Sequence, residues 1–399
     1  MDDKPRDMMT TFELSIDALR ARRNSKWNRY GSDVIPAWVA EMDFSVAAPI
    51  QAAVQQTVDQ MDYGYPLRNG NRADIAVNNA FAARMKERFD WEVDPDNVLA
   101  LADLVQGTFA PIRVFSEPGD GVVLQVPAYP PFREAIIDNG RRLIEFPMVD
   151  DGTRYQLDIA ALERLIDPTT RILVLCNPQN PTGRVFERDE LLEFGRVAIE
   201  RDLIIISDEI HSDLVFDGRK HIPIASLSPE IAARTVTITS PTKSFNIPGL
   251  RCAVVYFGTA ALRDRFFKSF PRRMVGAPNI IGIDATVAAW TQGQPWLDEV
   301  LAHLGKVRDR VASRLRKELP EINFHIPEAT YMAWLDCSKL GFNVTAADFF
   351  LQNAKLAFSP GETFDPASRQ FIRFNFATST AIADEILDRM VEAVKRARS

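Results

Sequence analysis

Lys243 is the residue of this 399-residue chain whose position most clearly suggests chemistry. It lies in the run Ser-Pro-Thr-Lys-Ser-Phe-Asn at 240–246, directly after the β-branched stretch 235–239. An amine at a strand end is well placed to hold a carbonyl compound covalently, and nearby cations or apolar walls would activate it by lowering its pKa. Ser240 and Arg251 flank the lysine and could bind a phosphate, Ser240 as a donor and Arg251 as a charged fork.

Two further motifs each follow a strand-like stretch of their own. Asp208 follows the apolar run 203–206 and is expected to be desolvated, so it needs a cationic partner. Two Asn-Pro pairs lie in 177–183, where the prolines fix the backbone that carries the amides. Pyridoxal 5'-phosphate (PLP) needs a lysine for its aldehyde, an aspartate for its ring nitrogen and a neutral donor for its ring oxygen. Together the three motifs predict a PLP site.

Three other segments have two readings each. Tyr129 follows a predicted strand and either packs in the core or stacks on a cofactor ring. The segment 103–107 joins a strand to a helix, so its backbone N–H groups could hold a phosphate. Arg373 lies in the apolar stretch 371–376 and requires a carboxylate, either from a substrate or from an internal salt bridge.

Two rival chemistries share some of these residues. Ser240-x-x-Lys243 also occurs in penicillin-recognising enzymes, but their Ser-Asp-Asn and Lys-Thr-Gly tripeptides do not occur in this chain. His211 and Asp213 could supply two ligands of an iron site, with the third from His221, His303 or His325. That site is usual on an all-β scaffold, so we predict no metal. We expect His211 to lie near the ring oxygen of the cofactor or to cap the turn.

Composition excludes several functional classes. The chain is 46% hydrophobic with a formal net charge of -7, and its basic runs are short, so we expect no nucleic-acid partner. Three cysteines predict buried free thiols in a reducing compartment. Residues 1–7 are polar and no apolar run approaches ~20 residues, so no membrane span is predicted. We therefore expect a cytoplasmic enzyme.

Short β-branched runs alternate with amphipathic helical stretches through the middle of the chain. This alternation predicts an α/β sheet with helices on both faces, which binds ligands at the carboxyl ends of its strands. The motifs above follow such ends. The seven predicted strands are 97–101, 121–126, 142–148, 171–176, 203–207, 235–239 and 252–257, and predicted helices include 106–115, 131–139 and 188–200.

The last third of the chain predicts a second domain. Residues 279–319 have a helical pattern with Pro295 as the exception, and a helix that long often bridges two domains. A strand at 331–335 and helices at 346–354 and 381–397 follow. We predict a large domain over 46–285 and a smaller α+β domain made of 1–45 plus 286–399.

The ordered set of motifs resembles fold-type I PLP enzymes of the class I/II aminotransferase superfamily, over nearly the whole chain. Within it the chain is similar to the cystathionine β-lyase-type carbon–sulfur lyases. The segments that carry this similarity are 35–44, 208–215, 242–250, 329–336 and 359–362. The resemblance implies a PLP-dependent transferase fold, an amino-acid substrate and cleavage of cystathionine or a related cysteine S-conjugate. The alternatives left open are a PLP-dependent aminotransferase and a PLP-bound regulatory protein.

The resemblance also implies residue roles. Lys243 holds the cofactor and then shuttles the substrate proton, Asp208 pairs with the pyridine nitrogen, and Tyr129 stacks on the ring. Asn180 contacts the ring hydroxyl, near His211, where related transaminases often have a tyrosine. Arg373 binds the substrate carboxylate with backbone near Ala40. The implied phosphate-binding groups are Ser240, Arg251, the backbone of Leu104 and Val105, and Tyr65 of a second subunit in an obligate homodimer.

The chain departs from the family pattern at two loops. Asp103-Leu-Val stands where relatives often have Gly-Val-Val, and residues 364–370 lack the glycines common before the arginine strand. Arg68 and the Pro-Arg-Arg run at 271–273 also look peculiar to this chain. These departures concern the choice of substrate, which the sequence leaves open.

Overall fold

A seven-stranded sheet forms the centre of the computed structural model, which describes residues 12–68 and 70–398. Its strands run in the order β4-β12-β11-β10-β9-β5-β6, and β12 alone is antiparallel to its neighbours. The strands of the chain are β1 Ile35–Ala37, β2 Leu67–Arg68, β3 Asn71–Arg72, β4 Val98–Leu101, β5 Gly121–Val126, β6 Arg142–Pro147, β7 Val149–Asp150, β8 Tyr155–Gln156, β9 Thr170–Cys176, β10 Ile204–Asp208, β11 Thr235–Thr239, β12 Ala253–Phe257, β13 Met332–Asp336, β14 Leu356–Pro360 and β15 Phe371–Asn375.

Helices cover both faces of this sheet. The helices are α1 Ile16–Arg20, α2 Ser25–Asn28, α3 Ala48–Asp59, α4 Asp74–Phe89, α5 Leu104–Phe115, α6 Pro130–Ile137, α7 Ile159–Leu165, α8 Arg188–Glu200, α9 Pro229–Ala232, α10 Ala260–Ser269, α11 Arg272–Val275, α12 Ile280–Gln292, α13 Gln294–Glu318, α14 Ala346–Ala354 and α15 Thr380–Arg398. Side chains of α5, α6 and α10 pack in one core and those of α7, α8 and α9 in another.

Alternate residues of the central strands enter opposite cores. Ile172 and Val174 of β9 pack with the α5 side, whereas Leu173 and Leu175 pack with the α8 side. Both faces are therefore buried, and for this reason these strands are continuous apolar runs in the sequence. The predicted α/β fold with a mostly parallel seven-stranded sheet is confirmed, with strand ends within one or two residues of the predicted ones.

A smaller four-stranded sheet has the order β1-β14-β15-β13. Strand β1, from the beginning of the chain, pairs in parallel with β14, so N-terminal and C-terminal segments share this sheet. The domain boundaries remain predictions. Residues 1–11, which were predicted to belong to the smaller domain, lie outside the described residues.

The prediction of one long helix over 279–319 is wrong in one respect. The structure has two helices, α12 and α13, separated at Gly293. An ideal Cβ at Gly293 would lie 2.6 Å from the carbonyl oxygen of Ala289 and from the ring of Phe245. The two helices therefore meet at a position where a larger side chain would clash, and Pro295 is accommodated in the first turn of α13.

Gly282 of α12 supports a loop that is important for the site. An ideal Cβ there would lie 2.2 Å from the carbonyl oxygen of Leu250, immediately before Arg251. Asn279 donates to the same carbonyl from 3.1 Å. The close approach of α12 therefore fixes the backbone that presents Arg251.

We expect Gly282→Ala to lower the free energy of unfolding by roughly 1–3 kcal/mol, because the new methyl group must displace backbone. Gly305→Ala in α13 is the matched control, since among the described residues no atom outside the local helix backbone lies within 4 Å of its ideal Cβ. That variant should gain about 0.5–1 kcal/mol from helix propensity. Urea unfolding of both variants under the same conditions checks the pair, and equal stability would contradict the close approach at Leu250.

Candidate active site

A cavity of about 330 Å³ lies at the carboxyl ends of the central strands. This is the edge at which an open parallel sheet binds ligands. Ten of the predicted site residues line it: Ala40, Leu104, Val105, Tyr129, Asn180, Asp208, His211, Ser240, Lys243 and Arg251. The predicted residues Arg373 and Tyr65 lie outside its wall.

Lys243 enters the cavity from the turn that follows β11. Its Nζ donates a hydrogen bond to the carbonyl oxygen of Ala40 at 2.9 Å. Among the described residues, no carboxylate lies within ion-pair distance of this amine. Burial, helped by the positive charge of Arg373, lowers the pKa of Lys243 to about 8. About a tenth of the amine is therefore neutral and nucleophilic at pH 7, a far larger share than for an ordinary lysine.

Asp208 is the last residue of β10 and is buried at the floor of the cavity. Its carboxylate accepts a hydrogen bond from the backbone N–H of Ile210 at 3.0 Å. Burial raises the pKa of Asp208 to about 7, and the neighbouring charge of Glu209 adds to this rise. A buried carboxylate of this kind is stabilised by a cation that approaches from the cavity.

Arg373 lies in β15 behind the wall of the cavity and is 5% exposed. Its guanidinium donates to Asn180 Oδ1 at 3.0 Å, to the carbonyl oxygen of Trp38 at 2.9 Å and to Ser359 Oγ at 3.1 Å. All three partners are neutral, and Nε has no hydrogen-bond partner among residues 12–68 and 70–398. Burial lowers the pKa of Arg373 to about 10, so it keeps its charge at neutral pH. The alternative of an internal salt bridge is therefore wrong.

One backbone segment connects Arg373 to Lys243. We call residues 38–42, which follow β1, the strap. The carbonyl of Trp38 accepts from Arg373 and that of Ala40 accepts from Lys243. Asn375, which shares a face of β15 with Arg373, donates to the carbonyls of Val39 and Glu41 at 2.6 and 2.7 Å.

Two more side chains hold the strap in place. The buried Tyr331 donates its hydroxyl hydrogen to the carbonyl oxygen of Ala40 at 3.1 Å, so Ala40 serves both Tyr331 and Lys243. Asn246 bonds both the N–H and the carbonyl of Met42, at 2.8 and 3.0 Å. The strap is therefore fixed by groups from both sheets, and it sets the distance between the amine and the guanidinium.

The opposite end of the cavity contains the predicted phosphate-binding groups. The backbone of Leu104 and Val105 begins α5, with Asp103 as its N-cap. Ser240 Oγ donates to the carbonyl oxygen of Cys252 at 2.7 Å, and Arg251 forms an ion pair with Asp103. The helix N-terminus, the hydroxyl and the guanidinium thus line one cavity, and Arg251 already has an anionic partner. Their role in binding a phosphate stays a prediction.

His211 and Tyr129 form part of the side wall. His211 is 2% exposed, and its Nδ1 has no hydrogen-bond partner in the described part of the chain. Burial lowers the pKa of His211 to about 3, so the ring is neutral. Burial raises the pKa of Tyr129, which lines the cavity and is 37% exposed. Asp213 instead pairs with Arg84 at 2.7 Å, so it does not join His211 in a metal site.

Sequence reasoning missed Tyr331 and Asn375 as site residues. Asn375 lies two positions after Arg373, and the period of two along a strand places both on one face. That spacing was a usable signal. Tyr331 precedes β13 and reaches Ala40 across 291 positions of sequence, so no local pattern indicates its role.

Tyr65 is fully exposed on the surface, away from the cavity. Within residues 12–68 and 70–398, no helix is long and apolar enough to cross a membrane. The three cysteines are buried and free, as predicted.

The known proteins that this chain resembles match it over most of its length. The family model described as aminotransferase class I and II matches residues 41–390. Cystathionine beta-lyase PatB of Bacillus subtilis is 34% identical, over 92% of this chain and 96% of the relative. The structure of OvoB is 36% identical with a TM-score of 0.88, over 94% of this chain and 96% of that one. Cystalysin from Treponema denticola, whose structure contains PLP, is 29% identical with a TM-score of 0.89, over 96% and 98%.

We expect Arg373→Gln to raise the pKa of Lys243 above about 8, because one of the two causes that lower it is removed. The pH dependence of Lys243 acetylation in cofactor-free protein, followed by peptide mass spectrometry, measures this pKa. Arg316→Gln is the control, since Arg316 is exposed on α13 and does not line the cavity. An unchanged profile in Arg373→Gln would contradict the electrostatic coupling of the two cations.

Proposed function

The chain belongs to the class I and II aminotransferase family, and on that premise we propose that it is a PLP-dependent carbon–sulfur β-lyase. It would cleave L-cystathionine or a related cysteine S-conjugate to a thiol, pyruvate and ammonia. The observation that carries this proposal is the position of the Lys243 amine. Lys243 lines the same cavity as Asp208, and it donates to the same backbone segment, the strap, as Arg373. Relatives named as cystathionine β-lyases match almost the whole chain.

The residues of the cavity fit PLP. Lys243 offers a partly neutral amine to the aldehyde, and the buried Asp208 offers a carboxylate to the ring nitrogen. Asn180 and the neutral His211 would lie at the ring oxygen, Tyr129 on the ring face, and Ser240, Arg251 and the start of α5 at the phosphate. When bound, PLP supplies an electron sink for the charge that develops at the substrate α-carbon.

Lys243 would remove the α-proton of the substrate. Its lowered pKa leaves Nζ free to accept a proton near neutral pH, and the Ala40 carbonyl can accept a hydrogen bond from the resulting ammonium. Tyr331 orients that carbonyl from its other side. The proton therefore has a defined position between its removal and its later delivery.

Arg373 would bind the substrate carboxylate. Its neutral partners on the strap and at Asn180 can be exchanged for a carboxylate, which forms stronger, charge-assisted hydrogen bonds. A carboxylate fixed at Arg373 would restrict the orientation of the substrate in the cavity, which favours the breaking of one bond at the α-carbon over the others. Transamination uses the same residues and is the second candidate function. The experiment below distinguishes it from the lyase reaction.

We also propose that the active unit is a homodimer. Tyr65 lies among other exposed apolar side chains, namely Met61, Tyr63 and Leu67, and such a cluster is unusual on a free monomer surface. A second copy placed on it would cover the cluster and bring Tyr65 to the phosphate end of the partner's cavity. A monomer in sedimentation analysis of the PLP-loaded protein would contradict this. A reducing, cytoplasmic location fits the three free thiols.

Purified, PLP-loaded protein incubated with L-cystathionine and no keto-acid acceptor should form pyruvate over many turnovers. Lys243→Ala should lose this activity by several orders of magnitude, because no amine remains to exchange the proton. Lys339→Ala, which removes an exposed lysine, should retain it. Pyruvate is measured with a coupled dehydrogenase.

Absence of pyruvate from the unchanged protein would contradict the lyase proposal for this substrate. A single turnover that converts the cofactor to pyridoxamine phosphate would instead support the aminotransferase alternative.

A further inference from the structure

The Asp103–Arg251 ion pair lies where the cofactor phosphate would bind. We propose that Asp103 is an internal competitor of that phosphate, so that the site binds phosphate-bearing cofactor more weakly than it would with a neutral residue at this position. The inference rests on the proposed function, because the ligand is PLP. It concerns a position where this chain departs from the family pattern.

Both carboxylate oxygens of Asp103 are engaged with phosphate-binding groups. Oδ1 accepts the backbone N–H of Val105 at 2.8 Å, in the first turn of α5. Oδ2 forms the ion pair with Arg251. A phosphate would require these same donors, since helix N-termini and arginine forks are the usual anion-binding groups. Asp103 therefore occupies the N–H of Val105 and a donor of Arg251, as the oxygens of a phosphate would.

Arg251 has no substitute at this end of the cavity. Among the residues that line the cavity, the cations are Lys243 and Arg251, and Lys243 lies at the aldehyde end. The loop that carries Arg251 is fixed against α12 through the carbonyl of Leu250. Ser240 already donates its hydroxyl hydrogen to the carbonyl of Cys252. Arg251 gives Nη1 to Asp103, so a phosphate that binds Arg251 would either take this donor from Asp103 or use the remaining N–H groups beside the carboxylate. In both cases two negative groups lie side by side.

The repulsion is moderate because the pair is accessible to water. The side chain of Asp103 is 32% exposed and that of Arg251 is 64% exposed. Solvent and salt screen charges at such a site, so high ionic strength should reduce the effect. The effect should also depend on the phosphate group and leave the aldehyde chemistry at Lys243 unchanged.

Asp103→Asn removes the negative charge of residue 103 and keeps its role as the N-cap of α5. Asparagine caps a helix about as well as aspartate, so the bond to Val105 is retained while the negative charge is lost. Asp158→Asn is a matched control, since Asp158 caps α7 by accepting from Ala161 at 2.9 Å and lies 3.9 Å from Arg164. That site is remote from the cavity.

Apoprotein is titrated with PLP and, separately, with pyridoxal, which has the aldehyde without the phosphate. We expect Asp103→Asn to bind PLP roughly three- to tenfold more tightly than the unchanged protein, with slower release. Pyridoxal affinity should be the same in both, Asp158→Asn should match the unchanged protein, and the gain for PLP should shrink at high salt.

Equal or weaker PLP binding by a folded Asp103→Asn would overturn the inference, as would an equal gain for pyridoxal. If Asp103→Asn fails to fold, Asp103→Ser, which also caps without charge, carries the same test. Failure of the unchanged protein to bind PLP at Lys243 would contradict the proposed function itself, and that outcome is distinct from a missing difference between variants.

Discussion

Two cations, Lys243 and Arg373, are held by one backbone segment through neutral carbonyl oxygens, and the rest of the site depends on this arrangement. Each cation lies in an environment that disfavours its charge, and burial is the main cause of the lowered pKa of both. Carboxylates in contact with Lys243 and Arg373 would offset the cost of burying their charges, as in an ordinary internal ion pair. Their bonds to the strap and to Asn180 leave both groups ready for anionic or carbonyl ligands.

The two sheets make this arrangement possible. The large sheet ends in short turns that present Asp208 and Lys243 from neighbouring strands, and the parallel pairing of β10 with β11 fixes their separation. The small sheet places Arg373 and Asn375 on one face of β15, against the strap. The strap follows directly from β1, which pairs with β14 in the small sheet. One continuous chain segment therefore runs from the small sheet to the amine of Lys243, which follows a strand of the large sheet.

Much of the fold and the site could be predicted because the signals are local. Buried parallel strands are continuous apolar runs, and their carboxyl ends mark where Asp208, Asn180 and Lys243 converge. The parts that could not be predicted depend on contacts between distant segments. The bond from Lys243 to Ala40 spans 203 positions and the Asp103–Arg251 pair spans 148. The break at Gly293 was missed because the helical pattern continues on both sides of it, while the contact of Gly293 with Phe245 joins residues 48 positions apart.

The central claim is that Lys243 is the amine that holds PLP in this cavity. Borohydride reduction of the PLP-loaded protein, followed by proteolysis and mass spectrometry, identifies the lysine that carries the cofactor. The account predicts a reduced PLP adduct on the peptide that contains Lys243, in near-stoichiometric yield, and no adduct on exposed lysines such as Lys339. An adduct on a different lysine, or none in protein that binds PLP, would contradict it.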